Sequence, residues 1–151
     1  MTPTRLHKPG VYLLRPPALV TAEIDRELLV LFCVRFPKVT GAVLYDPSGS
    51  QDIGDLLTRC LNQFEQLEIP SEHIKLKICG LSQMNVGTIS RVNKWIQSQP
   101  MTVVAADIGR FVKREIKIDT ETGALGVKAL HTRPQPTKVV TDSRQQARRG
   151  W

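Results

Sequence analysis

The sequence contains few residues of the kinds that form disulfides or metal sites. It has three cysteines and three histidines in 151 residues. Cys33, Cys60 and Cys79 are odd in number and include no CxxC pair, which argues against a disulfide framework or a zinc site. The histidines also lack metal-ligand spacing. We therefore expect no metal, no other cofactor and free thiols in a reducing compartment.

Long apolar segments are also missing. The first ten residues include Arg5 and Lys8 but no apolar core, so we expect no signal peptide. The longest apolar run, residues 28–34, is far shorter than the roughly 20 residues that a membrane-spanning helix needs. These features predict a cytoplasmic protein without membrane insertion.

The positive charge is concentrated at one end of the sequence. The formal net charge is +7, and residues 131–151 contain five Lys or Arg residues against Asp142 alone. A basic groove specific for nucleic acid is therefore not needed to explain the high isoelectric point. We expect one domain over residues 1–130 and a basic, disordered tail over residues 131–151. The tail could still attach electrostatically to nucleic acid or to a membrane surface.

Hydrophobic periodicity predicts a layered α+β sandwich of mainly antiparallel strands packed with two amphipathic helices. The predicted helices begin at Asp52 and Thr88, and Asp107 to Gly109 is predicted to be a turn. Cys60 lies on the apolar face of the first helix, as a buried cysteine commonly does. Strands are predicted at residues 11–14, 28–34, 41–46, 74–78, 101–106, 112–118 and 124–130. A hairpin loop at residues 119–123 joins the last two strands.

Several short sequence motifs, which follow one another along the chain, resemble those of the CheD family. Members of this family deamidate glutamine side chains of chemoreceptors. Residues 77–84, KICGLSQM, are similar to the family's KIFGGAxM. Residues 104–109, VAADIG, resemble the start of its AxDxGG turn, with Arg110 in place of the second glycine. Residues 44–47, LYDP, and 118–123, IDTETG, match two further phrases, and Arg114 falls where the family has the arginine of a Gly-Arg pair. The resemblance covers roughly residues 10 to 130.

The resemblance implies a cysteine nucleophile in an LGSCV segment and a histidine base shortly after LYDP. Without a gap, the nucleophile position falls on Val39. If a six-residue insertion is allowed, residues 31–34, LFCV, align with the LGSCV segment of the family. Cys33 is then the candidate nucleophile. The histidine position falls on Leu56, which leaves His73 or His131 as the possible base. The alternative, which the sequence favours, is that Cys33 is a buried strand residue, because free cysteine is commonly buried.

Two functions follow from the resemblance, and the sequence does not decide whether the chain is an enzyme. The first is a CheD-like pseudoenzyme that binds the cytoplasmic region of chemoreceptors or a CheC-type phosphatase, with Asp107, Gly109 and Arg114 as binding-site residues. The second is an active deamidase, in which Cys33 attacks the glutamine amide, ammonia leaves and water releases glutamate from the thioester. Lys75 and Lys77 share one face of a predicted strand and could meet an acidic partner.

Overall fold

The computed structural model describes residues 3–34, 36–82, 86–110 and 112–130, so the predicted tail lies outside the described residues. In chain order, the elements are β1 (Thr4–Leu6), β2 (Gly10–Leu13), β3 (Leu19–Ile24), β4 (Leu28–Cys33), β5 (Gly41–Tyr45), α1 (Ile53–Gln66), a short 3₁₀ turn (Ser71–His73), β6 (Lys75–Gly80), α2 (Val86–Gln97), β7 (Thr102–Ile108), β8 (Lys113–Asp119) and β9 (Leu125–Leu130). Neither helix in this described part is long and apolar enough to cross a membrane.

The strands form two sheets. Within the described residues, one sheet has the order β2-β5-β4-β6-β7 and the other has the order β1-β3-β8-β9. Most neighbours are antiparallel, and β1 with β3 and β6 with β7 are the parallel pairs. The predicted α+β class, with mainly antiparallel strands and two amphipathic helices, is therefore confirmed.

Strand β4 is buried on both faces and separates two apolar cores. Leu28, Val30 and Phe32 belong to the core on the helix side. The alternating residues Leu29, Leu31 and Cys33 belong to the core between the two sheets. Since successive side chains of a strand point to opposite faces, a strand covered on both sides must be apolar throughout. This explains the uninterrupted apolar run in the sequence.

Helix α1 covers the five-stranded sheet on the side away from the second sheet. Asp52 caps its N-terminus, where the side chain accepts a hydrogen bond of 3.2 Å from the backbone N–H of Asp55. Its buried residues are Ile53, Leu56, Leu57, Cys60 and Phe64. The predicted start of this helix and the buried position of Cys60 are confirmed. Helix α2, in contrast, begins at Val86, two residues before the predicted start at Thr88.

One predicted turn is wrong. Asp107 and Ile108 are the last two residues of β7 rather than a turn. They pair in parallel register with Cys79 and Gly80 of β6. Backbone hydrogen bonding to a distant strand therefore overrides the local turn tendency of the Asp-Ile-Gly sequence. As a consequence, the side chain of Asp107 is held in the sheet instead of projecting from a loop.

Candidate functional site

Arg114 lies in the layer between the two sheets. It belongs to the inward face of β8, together with Ile116 and Ile118, while Lys113 and Glu115 lie on the other face. Its exposed fraction is 0%, as low as that of the isoleucines beside it. A charge removed from water in this way is strongly destabilising unless it is paired and hydrogen-bonded. The surroundings of Arg114 must therefore supply acceptors.

Three residues accept hydrogen bonds from the Arg114 guanidinium group. Its Nε donates to Oδ2 of Asp107 at 3.1 Å, and its Nη2 lies 3.5 Å from Oδ1 of the same carboxylate. Nη2 also donates to the carbonyl oxygen of Gly109 at 2.7 Å. Nη1 donates to Oγ of Ser82 at 2.9 Å. The structure thus brings together Asp107, Gly109 and Arg114, the three residues predicted to form a binding site, and adds Ser82.

Asp107 lies between two guanidinium groups. Nη2 of Arg110 is 2.5 Å from Oδ1 of Asp107. Burial would raise the pKa of Asp107, but hydrogen bonds and charges from Arg114 and Arg110 outweigh it and hold this pKa below its usual value. The carboxylate is therefore ionised at neutral pH, and two positive charges surround one negative charge.

The backbone around this network is fixed by two close approaches. Gly80 has φ +123°, and a Cβ atom there would lie 2.0 Å from the carbonyl oxygen of Glu27. The carbonyl oxygen of Gly80 accepts a hydrogen bond of 2.8 Å from the backbone N–H of Gly109. Only glycine fits this conformation at position 80 without strain. The carboxyl ends of β6 and β7 are consequently held together beside Arg114.

Only part of the network reaches the surface. Ser82 and Arg114 are fully buried and Gly109 is buried as well. The side chains of Asp107 and Arg110 remain 15% and 24% exposed. Nη1 of Arg110 is buried and has no hydrogen-bond partner among the described residues. Asp107 and Arg110 are therefore the members of the network with side chains accessible from the surface, while the buried Arg114 holds the Asp107 carboxylate.

Cys33 is the last residue of β4 and is fully buried between the sheets. It pairs with Lys75 in the antiparallel ladder of β4 and β6. Burial raises the pKa of the Cys33 thiol, and the positive charges of Lys77 and Lys75 offset this only in part. The thiol is therefore protonated at neutral pH and a weak nucleophile.

The connection between β4 and β5 includes residues 36–40, which lie outside the ladder of the two strands. The ladder ends at the pair Phe32 and Gly41. The backbone N–H of Thr40 donates to the carbonyl oxygen of Phe32 at 2.9 Å and closes this loop. Val39 is fully buried in the core between the sheets. Val39, the nucleophile position of the ungapped alignment, therefore contributes apolar packing between the sheets.

Among the described residues, burial and the charges of Lys77 and Lys75 act on the Cys33 thiol, and no histidine does. Leu56, at the expected histidine position, is buried in α1. His73 is exposed in the 3₁₀ turn, two residues before Lys75, and forms no hydrogen bond with Cys33. His131 lies outside the described residues.

Neither of the other cysteines offers a better nucleophile. Burial raises the pKa of Cys60 to about 12 and that of Cys79 to about 12. Both are free thiols within the apolar cores. The described residues also include no group of three His, Cys, Asp or Glu side chains that could hold a metal ion.

Comparison with known proteins adds no relative. The sequence matches no protein-family model, and no curated protein matches it. The functional interpretation therefore depends on two features of the molecule, the network around Arg114 and the buried thiol of Cys33.

Proposed function

We propose that this chain is a non-catalytic, CheD-like binding protein that associates with the cytoplasmic region of chemoreceptors or with a CheC-type phosphatase. The observation that carries the proposal is the contrast between its two candidate centres. The Asp107–Arg114 pair is complete and rigidly supported, whereas Cys33 is buried without a base among the described residues. A cytoplasmic location would agree with three cysteines that are all free and buried.

The chemistry of deamidation supports the non-catalytic form of the proposal. A cysteine nucleophile must lose its proton to attack an amide, and an adjacent base or a lowered pKa provides for this. Cys33 has a raised pKa instead. An attacked amide must also reach the sulfur, and Sγ of Cys33 belongs to a side chain with no exposed surface.

The binding part of the proposal is supported by the exposed side of the Arg114 network. Asp107 and Arg110 form an ion pair of 2.5 Å at the carboxyl end of β7. The buried Arg114 binds the same carboxylate, so the ion pair of Asp107 and Arg110 has little freedom to move. Polar groups fixed in this way bind a partner with a smaller loss of conformational entropy than flexible surface side chains.

Binding to purified components tests this proposal. The full chain would be immobilised, and a chemoreceptor cytoplasmic fragment and a CheC-type phosphatase would be passed over it. We expect one of them to bind, and Arg110→Gln to weaken binding while Lys94→Gln on the exposed side of α2 leaves it unchanged. Absence of binding to both components would refute the proposal.

An active deamidase is the second candidate, and one observation favours it. Lys75 and Lys77 lower the pKa of the Cys33 thiol relative to burial alone, and His73 precedes Lys75 by two residues. In that case the purified protein would convert glutamine to glutamate in receptor peptides, with an increase of about 1 Da per site that follows from replacing NH₂ by OH. Cys33→Ala would abolish the shift, and an unchanged shift in this variant would exclude the thiol mechanism.

A further inference from the structure

An exposed aromatic ring lies beside two lysines at one margin of the sandwich. The ring of Phe36 is 4.7 Å from Nζ of Lys75 and 5.8 Å from Nζ of Lys77. Phe36 is 49% exposed and is the one aromatic residue among the five exposed large apolar side chains of the described residues. Ammonium groups at these distances interact favourably with the face of an aromatic ring. The three side chains therefore form one cluster.

The lysines extend from the face of β6 that is turned toward the second sheet. Lys75 pairs with Cys33, and Lys77 pairs with Leu31. Directly opposed residues of antiparallel strands lie on the same face, and both partners here face the inter-sheet core. Lys77 is half-buried, and its Nζ donates to the carbonyl oxygen of Gly123 at 2.7 Å. Lys75 is exposed, and its ammonium group contacts the Phe36 ring without forming a hydrogen bond to another described residue.

The hairpin between β8 and β9 holds this cluster in place. Gly123 has φ +74°, and a Cβ atom there would lie 2.1 Å from the carbonyl oxygen of Pro37. The hairpin thus packs directly on the residue that follows Phe36. Beside it, Nζ of Lys38 lies 3.5 Å from Oε1 of Glu121, and both side chains are about half exposed, at 47% and 46%. We call Phe36, Lys38, Lys75 and Lys77 the Phe36 surface.

We propose that the Phe36 surface binds an acidic segment of a partner protein. Carboxylates of that segment would pair with Lys75 and with Lys38, and its apolar atoms would rest on the exposed part of Phe36. An aromatic side chain surrounded by cations provides both the apolar contact and the charge complementarity that protein interfaces use. The inference names a second surface and the chemistry of its partner, and it does not depend on the chemosensory assignment.

The same surface suits nucleic acid less well. Bases bind to such sites by stacking on an aromatic face, and two ammonium groups already lie against the ring of Phe36. Glu121 stands beside Lys38, and Asp119 is exposed in the same hairpin. A continuous phosphate backbone would meet these carboxylates, whereas separate acidic side chains of a peptide can avoid them.

Fluorescence anisotropy at low salt tests this proposal by measuring peptide binding. One labelled peptide has alternating glutamate and leucine residues, and in the second peptide glutamine replaces each glutamate. The full chain is expected to bind the glutamate peptide and to bind the glutamine peptide much more weakly. Phe36→Ala and Lys75→Met should each weaken binding by roughly two- to fivefold, in the range of single exposed contacts. Glu121→Gln should strengthen it, because the carboxylate that competes for Lys38 is removed.

Lys94→Met is the matched control, because it makes the same charge change on the exposed side of α2. If it weakens binding as much as Lys75→Met does, the attraction is only that of net charge and the proposal is refuted. Equal binding of the glutamine peptide would also refute it. A single-stranded oligonucleotide that binds with the same dependence on Phe36 and Lys75 would show a nucleic-acid surface instead. None of these outcomes depends on whether a chemoreceptor binds, so this test is distinct from that of the proposed function.

Discussion

Arg114 of β8 and Asp107 of β7 belong to different sheets and form an ion pair of 3.1 Å between them. The guanidinium group is fully buried and the carboxylate nearly so, at 15% exposure. A buried pair of this kind contributes little to stability compared with an apolar pair, but removal of one partner leaves an uncompensated charge. The pair therefore specifies how the two sheets meet at the carboxyl end of β7.

Replacement of Arg114 by methionine is expected to destabilise the fold strongly. The substitution would leave Ser82 and the carbonyl of Gly109 without their donor and Asp107 with Arg110 as its remaining ion-pair partner. We expect a loss of roughly 3–5 kcal/mol in the free energy of unfolding, measured with urea. Lys117→Met, on the exposed face of the same strand, should change it by less than about 0.5 kcal/mol. Equal losses in both variants would contradict a special role for the buried arginine.

Gly80→Ala tests the close approach that supports the same site. The new methyl group would lie 2.0 Å from the carbonyl oxygen of Glu27, and φ +123° is strained for alanine. We expect a loss of about 2 kcal/mol or more in unfolding free energy, from backbone strain together with displacement of the neighbouring chain. In Gly126→Ala the nearest atom would be the carbonyl oxygen of Lys117 at 3.9 Å. This control should be close to neutral, and a neutral Gly80→Ala would show that the two segments are not held together.

The fold could be predicted from the sequence wherever a pattern is local. The spacing of apolar residues is sufficient for α1, and the alternation from Lys113 to Asp119 is sufficient for β8, including the inward position of Arg114. Strand β3 (Leu19–Ile24) was not predicted, although its inward residues alternate with polar ones. One of its two neighbours in the sheet is β8, whose paired residues are 90 to 100 positions later in the sequence, and local propensity contains no information about such a partner.

The candidate site could be predicted only in part. The resemblance predicts a site at Asp107, Gly109 and Arg114, and in the structure Arg114 donates hydrogen bonds to both of the others. Ser82 was not selected, because a serine that accepts a hydrogen bond from an arginine 32 positions away has no local signature. For the cluster of Phe36 with Lys75 and Lys77, the sequence predicts only that the two lysines share one face of a strand. The position of Phe36 beside them is not predicted. The loop that carries Phe36 to them is closed by backbone contacts between distant residues.

The low pKa of Asp107 predicts a specific dependence of stability on pH. Its pKa in the folded state is below the unfolded value of about 3.9. A carboxyl group with a depressed folded pKa contributes stability above the unfolded pKa, and this contribution is lost as pH falls through the folded pKa. The wild-type protein should therefore be more stable than Asp107→Asn at pH 7, and the difference should shrink below about pH 4.

Urea unfolding of both proteins between pH 7 and pH 2.5 measures this difference. Glu72→Gln, which removes an exposed carboxylate in the 3₁₀ turn, serves as a comparison for the general effect of losing one negative charge. If the difference between wild-type and Asp107→Asn stays constant across the range, Asp107 has no depressed pKa and the two arginines do not act on it as described.

The reactivity of Cys33 toward a thiol reagent separates the two candidate functions. Its side chain is fully buried and burial raises its pKa, so the fraction of thiolate at pH 7.5 is small and access is blocked. In the native protein we expect slow modification by a disulfide reagent, with a rate that rises as the pH increases toward the raised pKa. In guanidinium chloride all three cysteines should react at once.

Comparison with Cys33→Ala assigns the signal, since Cys60 and Cys79 have pKa values of about 12 and about 12 and lie in the cores. If one thiol of the native wild-type protein reacts rapidly at neutral pH and is lost in this variant, Cys33 is an activated nucleophile. That result would favour the deamidase over the binding protein. If all three thiols of the native protein react only upon unfolding, the binding protein is favoured. In that case the Cys33 side chain, at the end of β4, contributes apolar packing between the sheets and no chemistry.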